Sequence, residues 1–299
     1  VGASGMGALS FSPTSEYQLA STGDIDLAML GLEAQAFFDG QTEEVLADLV
    51  AAGSSGGARP KAQFYISPDE PDRCRTVART GDEAWLVKFT SRNLPLGHEE
   101  GLCEAVYLHL AGKLGLEPPE WRLFEAPEQS GARAWLGVKR FDWISRHQKA
   151  GRRHMHSACG LLDADFRTPS LDYEDLIKVS RHLCRSPAVG KLQFRRAMFN
   201  LFACNQDDHS KNWAFLQDDA GEWTPAPFYD VTFSPHPYQE HATAYAGFGK
   251  NPPLKAIRVL AARAGYAKWE QAKHDIDEIV DVLGDFAVIA REFGVDSGV

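Results

Sequence analysis

The chain has 299 residues, a formal net charge of -10 and 44% hydrophobic residues, which allows one large domain or two small ones around a sizeable core. The acidic balance argues against general nucleic-acid binding, which needs a basic face. No apolar run approaches the roughly 18 residues of a membrane span, and five widely spaced cysteines without a Cys-x-x-Cys pair argue against a disulfide framework or a zinc site. A cytoplasmic protein with no membrane partner and no direct nucleic-acid partner is therefore expected. No signal-peptide pattern is recognisable, and a chain opening on Val1 instead of Met is expected to have been trimmed.

In chain order, Ala8–Phe11 is strand-like. Residues 25–52 carry apolar positions at helical spacing and predict two helices broken near Gly40. The Gly- and Ser-rich run from Gly53 to Lys61 predicts a loop. Strands are predicted over Lys61–Ile66, Arg75–Arg79 and Ala84–Thr90, then a helix over Glu99–Leu114, then strands over Trp121–Glu125 and Arg133–Arg140. Beyond Asp142 the pattern turns helical, over Tyr173–Leu183, Lys191–Ala203, Pro253–Ala264 and Tyr266–Phe293. A short hairpin, Trp213–Gln217 with Trp223–Pro225, interrupts it. A β-rich half followed by a helical half is an α+β chain of two lobes, with residues 1–142 as the first and 143–299 as the second. Trp85, Trp121, Trp135 and Trp143 are expected in the core. The basic run from Arg146 to Arg153 reads as a solvated surface loop, or as a contact for an acidic partner.

Phosphoryl transfer to a hydroxyl needs a group to orient the nucleophile, oxygen ligands for magnesium, a cation on the ATP phosphates and a loop that covers them. Asp207 and Asn212 have the spacing of a kinase catalytic loop, and Asp230 follows 23 residues after Asp207 in Phe228-Tyr229-Asp230-Val231. Alone, that spacing occurs by chance, and Asp-Asp-His in a loop is ordinarily a solvated turn. Here apolar segments ending at Cys204 and starting at Trp213 flank the cluster. Lys88 lies inside an apolar strand and precedes a helix bearing Glu99, Glu100 and Glu104, the order of a kinase strand lysine and helix glutamate. An isolated lysine there would simply snorkel at a strand end. Val138-Lys139-Arg140-Phe141-Asp142 closes the β-rich half, either as a last strand or as an adenine-binding junction. His209 is expected to pack the loop and not to act as a base. Lys211 either stabilises the transferring phosphoryl group or pairs with Asp208, and the residues leave both open.

These segments, taken in order, resemble the HipA family of bacterial serine/threonine kinases, the toxins of HipA–HipB toxin–antitoxin modules. Ser54-Ser55-Gly56-Gly57-Ala58-Arg59-Pro60-Lys61 resembles the family's nucleotide loop, although Arg59-Pro60 replaces the commoner Gln-Glu pair. Leu86-Val87-Lys88-Phe89, Glu104, Arg140-Phe141-Asp142, Asn205-x-Asp207-Asp208-His209-x-Lys211-Asn212 and Pro227-x-Tyr229-Asp230 are similar to its strand lysine, helix glutamate, hinge, catalytic loop and metal motif. The resemblance implies a two-lobed protein-kinase-like fold that uses ATP and Mg2+. Asp207 would be catalytic, with Lys211 beside it, and Asn212 and Asp230 would hold the metal. Gly56, Gly57, Ala58, Lys88 and Glu104 would serve the phosphates; Lys139 and Phe141 would offer backbone groups to adenine, and Asp142 would face the ribose. Ser54 falls on the family's autophosphorylated serine, with Ser55 as a rival. An implied protein substrate is an aminoacyl-tRNA synthetase, and an implied partner is a HipB-like antitoxin. A small-molecule phosphotransferase and a pseudokinase binding module are the competing readings.

Overall fold

A computed structural model of the chain describes residues 5–13, 24–41, 59–146, 149–165 and 171–296. The chain divides into two compact units: residues 1–105, 119–154 and 290–299 form one, and 106–118 with 155–289 form the other.

The first unit is built on β1 (Asp24–Ile25), β2 (Lys61–Ser67), β3 (Glu70–Arg75), β4 (Glu83–Lys88), β5 (Trp121–Glu125) and β6 (Ala134–Lys139), with helix α1 (Leu27–Phe38) and the start of α2 (Glu100–Lys113), whose residues from 106 on belong to the second unit. Its strands form one sheet in the order β1-β3-β2-β4-β6-β5. Antiparallel register sets Lys61 opposite Lys88 and Trp85 opposite Lys139. Strand alternation sends Trp85 and Val87 into a core with Phe64, Ile66, Phe89 and Trp135, and Leu30 and Ala34 of α1 join it. Asp26 caps α1 by accepting from the Ala28 and Met29 amides. Gly31 lets the helix approach closely, because a Cβ there would lie 2.1 Å from the Trp135 ring.

Several expectations need correction in this unit. Ala8–Phe11 forms no strand. The strand placed at Arg75–Arg79 lies instead at Glu70–Arg75. Its cause is Asp82, a 2% exposed carboxylate that takes the Arg75 guanidinium at 2.9 Å and the Arg79 amide at 2.7 Å, so the chain turns around it. The basic run is no simple loop: β7 (Trp143–Arg146) and β8 (Lys149–Arg152) form an antiparallel hairpin. The second helix expected after Gly40, and the loop of Ser54, Ser55, Gly56, Gly57 and Ala58, lie outside the described residues.

The second unit carries β9 (His154–Ser157), α3 (Ala158–Leu161), α4 (Tyr173–Leu183), α5 (Pro187–Phe202), β10 (Ala214–Gln217), β11 (Trp223–Pro225), α6 (Leu254–Ala264), α7 (Trp269–Gly284) and most of α8 (Phe286–Glu292). The expected hairpin is present as β10 and β11, and β9 adds a third strand beside β10 that periodicity did not indicate. Helix α5 starts at Pro187, earlier than periodicity placed it, because proline suits the first helical turn, where its missing N–H has no partner to lose. The single helix expected over Tyr266–Phe293 is two, separated at Asp285. Tyr173, Phe194, Phe199 and Tyr245 are fully buried among α4, α5 and the loop before α6. Among the described residues no helix is long and apolar enough to cross a membrane.

Candidate active site

In the β-rich unit, Lys88 ends β4 with its side chain 10% exposed, and its Nζ lies 2.6 Å from Glu104 Oε1 on α2. Burying an ammonium costs several kcal/mol unless it is paired, and Glu104 supplies the pair. Arg59, the departure from the family's loop sequence, joins the same group. Its guanidinium lies 3.0 Å from Glu100 Oε2 and 3.6 Å from Glu104 Oε2. Glu100 and Glu104 are one helical turn apart and face one way. That spacing was a readable signal for a cationic partner; the sequence pointed to Lys88 but not to Arg59. Burial pushes the Glu100 carboxyl up, against the opposing pull of Arg59.

The junction after β6 is tightly specified. The Lys139 side chain, 28% exposed, bridges Glu83 at 2.6 Å and Glu120 at 2.9 Å. Its amide donates to the Glu120 carbonyl, and the Arg140 amide to the Ala84 carbonyl. Phe141 is half-buried and lines a cavity of about 960 Å3 together with Pro68, Glu83, Lys139 and Trp143. Asp142 has no exposed surface. Its Oδ1 accepts from Arg140 Nε at 3.0 Å, and its Oδ2 accepts from Arg140 at 2.5 Å and from the Gly7 amide at 2.7 Å. In this arrangement the carboxylate is enclosed by protein donors, which differs from the expected role facing a ribose.

In the helical unit, α5 ends at Phe202 and Cys204 takes φ +55°, so the chain reverses into the segment that carries Asp207 and Asn212. The Asp207 side chain is 67% exposed, with His209 Nε2 3.8 Å from its Oδ1. Asn212 donates its Nδ2 hydrogen to the Asp207 carbonyl at 3.0 Å. That bond fixes the amide, so its Oδ1 is the atom left for a ligand. Lys211 is exposed, and its carbonyl accepts from the Tyr229 hydroxyl at 2.6 Å, tying the loop to the segment that carries Asp230. Burial, then the neighbouring Asp230, push the Tyr229 phenol far above its ordinary range. Asp208 is engaged by partners from other segments. It is 1% exposed and bound by Tyr173, His241 and Thr243. None of these three contacts was foreseen, because they come from residues 30 or more positions away with no local signal.

Arg196 on α5 holds the approach to Asp230. Its Nε donates to the Leu116 carbonyl at 2.9 Å and its guanidinium to the Ala226 carbonyl at 3.1 Å. Burial lowers this guanidinium to about 10. Asp230 sits at φ +57°, a left-handed conformation uncommon for non-glycine residues but better tolerated by aspartate than by most, and such conformations cluster at functional sites. Among the described residues no three His, Cys, Asp or Glu side chains gather as a metal cluster. Magnesium needs no such cluster: one or two carboxylates and substrate phosphates commonly hold it. An amide oxygen from Asn212 and a carboxylate from Asp230 are hard oxygen donors of the right kind.

Comparison with known proteins bears on the family and the fold. The model of the HipA-like C-terminal domain matches residues 53–285. A Haemophilus influenzae protein named "Putative kinase" is 26% identical over 254 residues, covering 82% of this chain and 67% of that protein. A Sinorhizobium fredii protein named "Putative kinase Y4mE" is 31% identical over 140 residues, covering 43% of this chain and 31% of that protein. The "Serine/threonine-protein kinase toxin HipA" of Shewanella oneidensis is 26% identical over 197 residues, covering 60% of this chain and 42% of that protein. The matches thus span from 31% to 67% of these relatives' own lengths. The solved Shewanella oneidensis MR-1 complex of HipA, HipB and operator DNA contains a chain that aligns with a TM-score of 0.60 at 20% identity, over 96% of this chain and 73% of that one. The fold is accordingly the α+β fold of HipA-like kinases, with a β-rich unit and a mainly helical one. The protein belongs to the family of the HipA-like C-terminal domain.

Proposed function

We propose that the protein is an ATP- and Mg2+-dependent serine/threonine protein kinase of the HipA type, acting in the cytoplasm. The observation that carries this most is the 3.0 Å bond from Asn212 Nδ2 to the Asp207 carbonyl. It joins the two residues whose spacing marks a kinase catalytic loop and leaves the Asn212 oxygen as the acceptor end of that amide, which supports a metal-binding role for it. In this reading Asp207 accepts the proton of a serine or threonine hydroxyl as that oxygen bonds to the γ-phosphorus. The bond from phosphorus to the ADP oxygen breaks in the same step. Lys88, held by Glu104, binds phosphate oxygens, and Lys211 offers positive charge beside Asp207. Asn212 and Asp230 would hold Mg2+, which supplies charge neutralisation on the phosphates when bound.

Further roles follow from the same reading. The Gly56-Gly57-Ala58 loop covers the nucleotide, Lys139 and Phe141 supply backbone groups to adenine, and Ser54 or Ser55 accepts a phosphate from the enzyme itself. Such a phosphate brings about -1.5 to -2 charges and would repel the ATP phosphates, switching the enzyme off. The solved Shewanella oneidensis relative is in complex with HipB and operator DNA, which supports an antitoxin of that kind as a partner here. The protein substrate we propose is translation-related, an aminoacyl-tRNA synthetase.

Incubation with γ-labelled ATP and Mg2+ tests the reading. Label is expected in the chain itself, lost about 100-fold or more in Asp207→Asn and abolished in Ser54→Ala/Ser55→Ala. Equal labelling by wild type and Asp207→Asn would refute a kinase role for this loop. Labelling of an aminoglycoside but of no protein would favour a small-molecule phosphotransferase.

A further inference from the structure

Asp207 and Asp208 are adjacent in sequence but opposite in setting: the first is 67% exposed at its side chain and the second is buried. A hydrogen-bond circuit joins them the long way round. The Asp207 amide donates to Ser234 Oγ at 3.2 Å, and the Ser234 hydroxyl donates to Asn205 Oδ1 at 2.8 Å. Asn205 Nδ2 donates to Asn200 Oδ1 at 2.8 Å, and Asn200 Nδ2 donates to the Tyr173 hydroxyl at 2.9 Å. The Tyr173 hydroxyl then donates to Asp208 Oδ2 at 2.5 Å. The circuit therefore runs in one direction and ends on a carboxylate, the one side chain in it able only to accept when ionised.

His241 completes the ending. Its Nδ1 lies 2.9 Å from the same Asp208 Oδ2, its ring is 4% exposed, and its edge packs on Tyr245. With Asp208 ionised, Nδ1 carries the hydrogen. Thr243 closes the remaining side, its amide donating to Asp208 Oδ1 at 3.2 Å and its hydroxyl to the Asp208 carbonyl at 2.7 Å. The segment after Asp230 is laced to the loop as well. The Gln206 amide donates to the Ser234 carbonyl and its own carbonyl accepts from the Ala242 amide.

We propose that Tyr173 and His241 are positioning residues for phosphoryl transfer: by gripping Asp208 they fix the backbone on which Asp207 presents its carboxylate. The inference rests on the kinase reading above. It differs from a simple stabilising role because the circuit starts at the amide of Asp207 itself and its five bonds run in one direction to Asp208. A misplaced catalytic group loses rate while the nucleotide site is untouched, since neither residue is in the phosphate-binding set.

The test measures incorporation of γ-phosphate into the chain itself across ATP concentrations, for wild type, Asp207→Asn, Tyr173→Phe, His241→Leu and His241→Asn. Tyr173→Phe removes one oxygen and keeps the ring packing, so it remains informative should His241→Leu fail to fold. Tyr173→Phe and His241→Leu are expected to lower the maximal rate about 10- to 100-fold, the usual effect of losing an orienting partner, with the half-saturating ATP concentration unchanged. His241→Asn, whose Nδ2 can reach the carboxylate as Nδ1 does, should recover most of that rate. If Asp207→Asn is dead while folded Tyr173→Phe and His241→Leu keep the wild-type rate, positioning is wrong and the kinase reading stands. If rate falls only together with ATP affinity, or His241→Asn is no better than His241→Leu, the role is merely structural. If Asp207→Asn transfers as well as wild type, the kinase reading fails and this inference with it.

Discussion

Glu104 is shared by two cations: Lys88 Nζ stands 2.6 Å from its Oε1 and an Arg59 nitrogen 3.6 Å from its Oε2, with the glutamate side chain 1% exposed. A buried pair of this kind is weak evidence for stability in itself, yet removing one member leaves an uncompensated charge at a cost of about 3–5 kcal/mol. Glu104→Leu and Lys88→Met should each destabilise by amounts in that range in urea unfolding. The double variant should be less destabilised than the sum, because neither charge is then stranded. All three should lose phosphoryl transfer. A double variant as unstable as the sum of the singles would show that the two side chains do not depend on each other.

Arg140 and Asp142 form the second buried pair, with Gln63 Oε1 accepting from the same guanidinium at 2.6 Å and the Gly5 carbonyl at 2.9 Å. The Gly7 amide completes the carboxylate, so residues 5–7 depend on it. Asp142→Asn is expected to lower stability by about 2–3 kcal/mol, as for a buried charged hydrogen bond, and to speed exchange of the Gly7 amide hydrogen. The half-saturating ATP concentration should stay near wild type. A rise in that concentration without loss of stability would give the carboxylate back its ribose role.

How far the sequence could be read is clear from these two pairs. Lys88 and Glu104 were legible because a lysine inside an apolar strand must find a carboxylate, and a helix rich in acids came next. The strands β2, β4, β5 and β6 were legible from their apolar or alternating runs, but their register was not. Asp142 was legible only as a hinge residue, since its pairing with Arg140 two residues away follows from local backbone geometry and not from periodicity. The grip of His241 on Asp208 was invisible, as 33 residues separate them and neither sits in a repeating pattern. The strand at Glu70–Arg75 was misplaced because a buried Asp82 decided where Arg75 points, and tertiary contact outweighs strand propensity.

The alkaline limb of stability should be steep. Burial raises the Cys184 thiol from 9.0 to about 11, and burial likewise holds the Tyr173, Tyr229, Tyr245 and Tyr266 phenols well above their ordinary 10.0. Each folded-state value lies above the unfolded one, so the folded protein binds more protons and stability falls as pH rises. The Cys184 contribution is complete below pH 9 and is lost by about pH 11, while the phenols act only above pH 10. Urea unfolding from pH 8 to 11 should show a declining midpoint, and Cys184→Ala should flatten the part between pH 9 and 10. A flat profile in wild type would contradict burial of these groups.

Gly190 on α5 marks the closest approach to α6, since a Cβ there would lie 2.6 Å from the Ala264 carbonyl oxygen and 2.6 Å from Arg181 Cδ. The Arg181 side chain can move, but the backbone carbonyl cannot without displacing the end of α6. Alanine is the better helix former by about 1 kcal/mol, whereas overpacking costs about 1–3 kcal/mol. Gly190→Ala should therefore be destabilising on balance despite its favourable propensity. Gly284, the last residue of α7, has nothing within 4 Å of its would-be Cβ, so Gly284→Ala gains helix propensity with no opposing clash and should stabilise by up to about 1 kcal/mol. Thermal unfolding of the two variants side by side checks the packing, because propensity alone predicts the same sign for both. Opposite signs are expected, and equal gains would mean that α5 and α6 do not approach this closely.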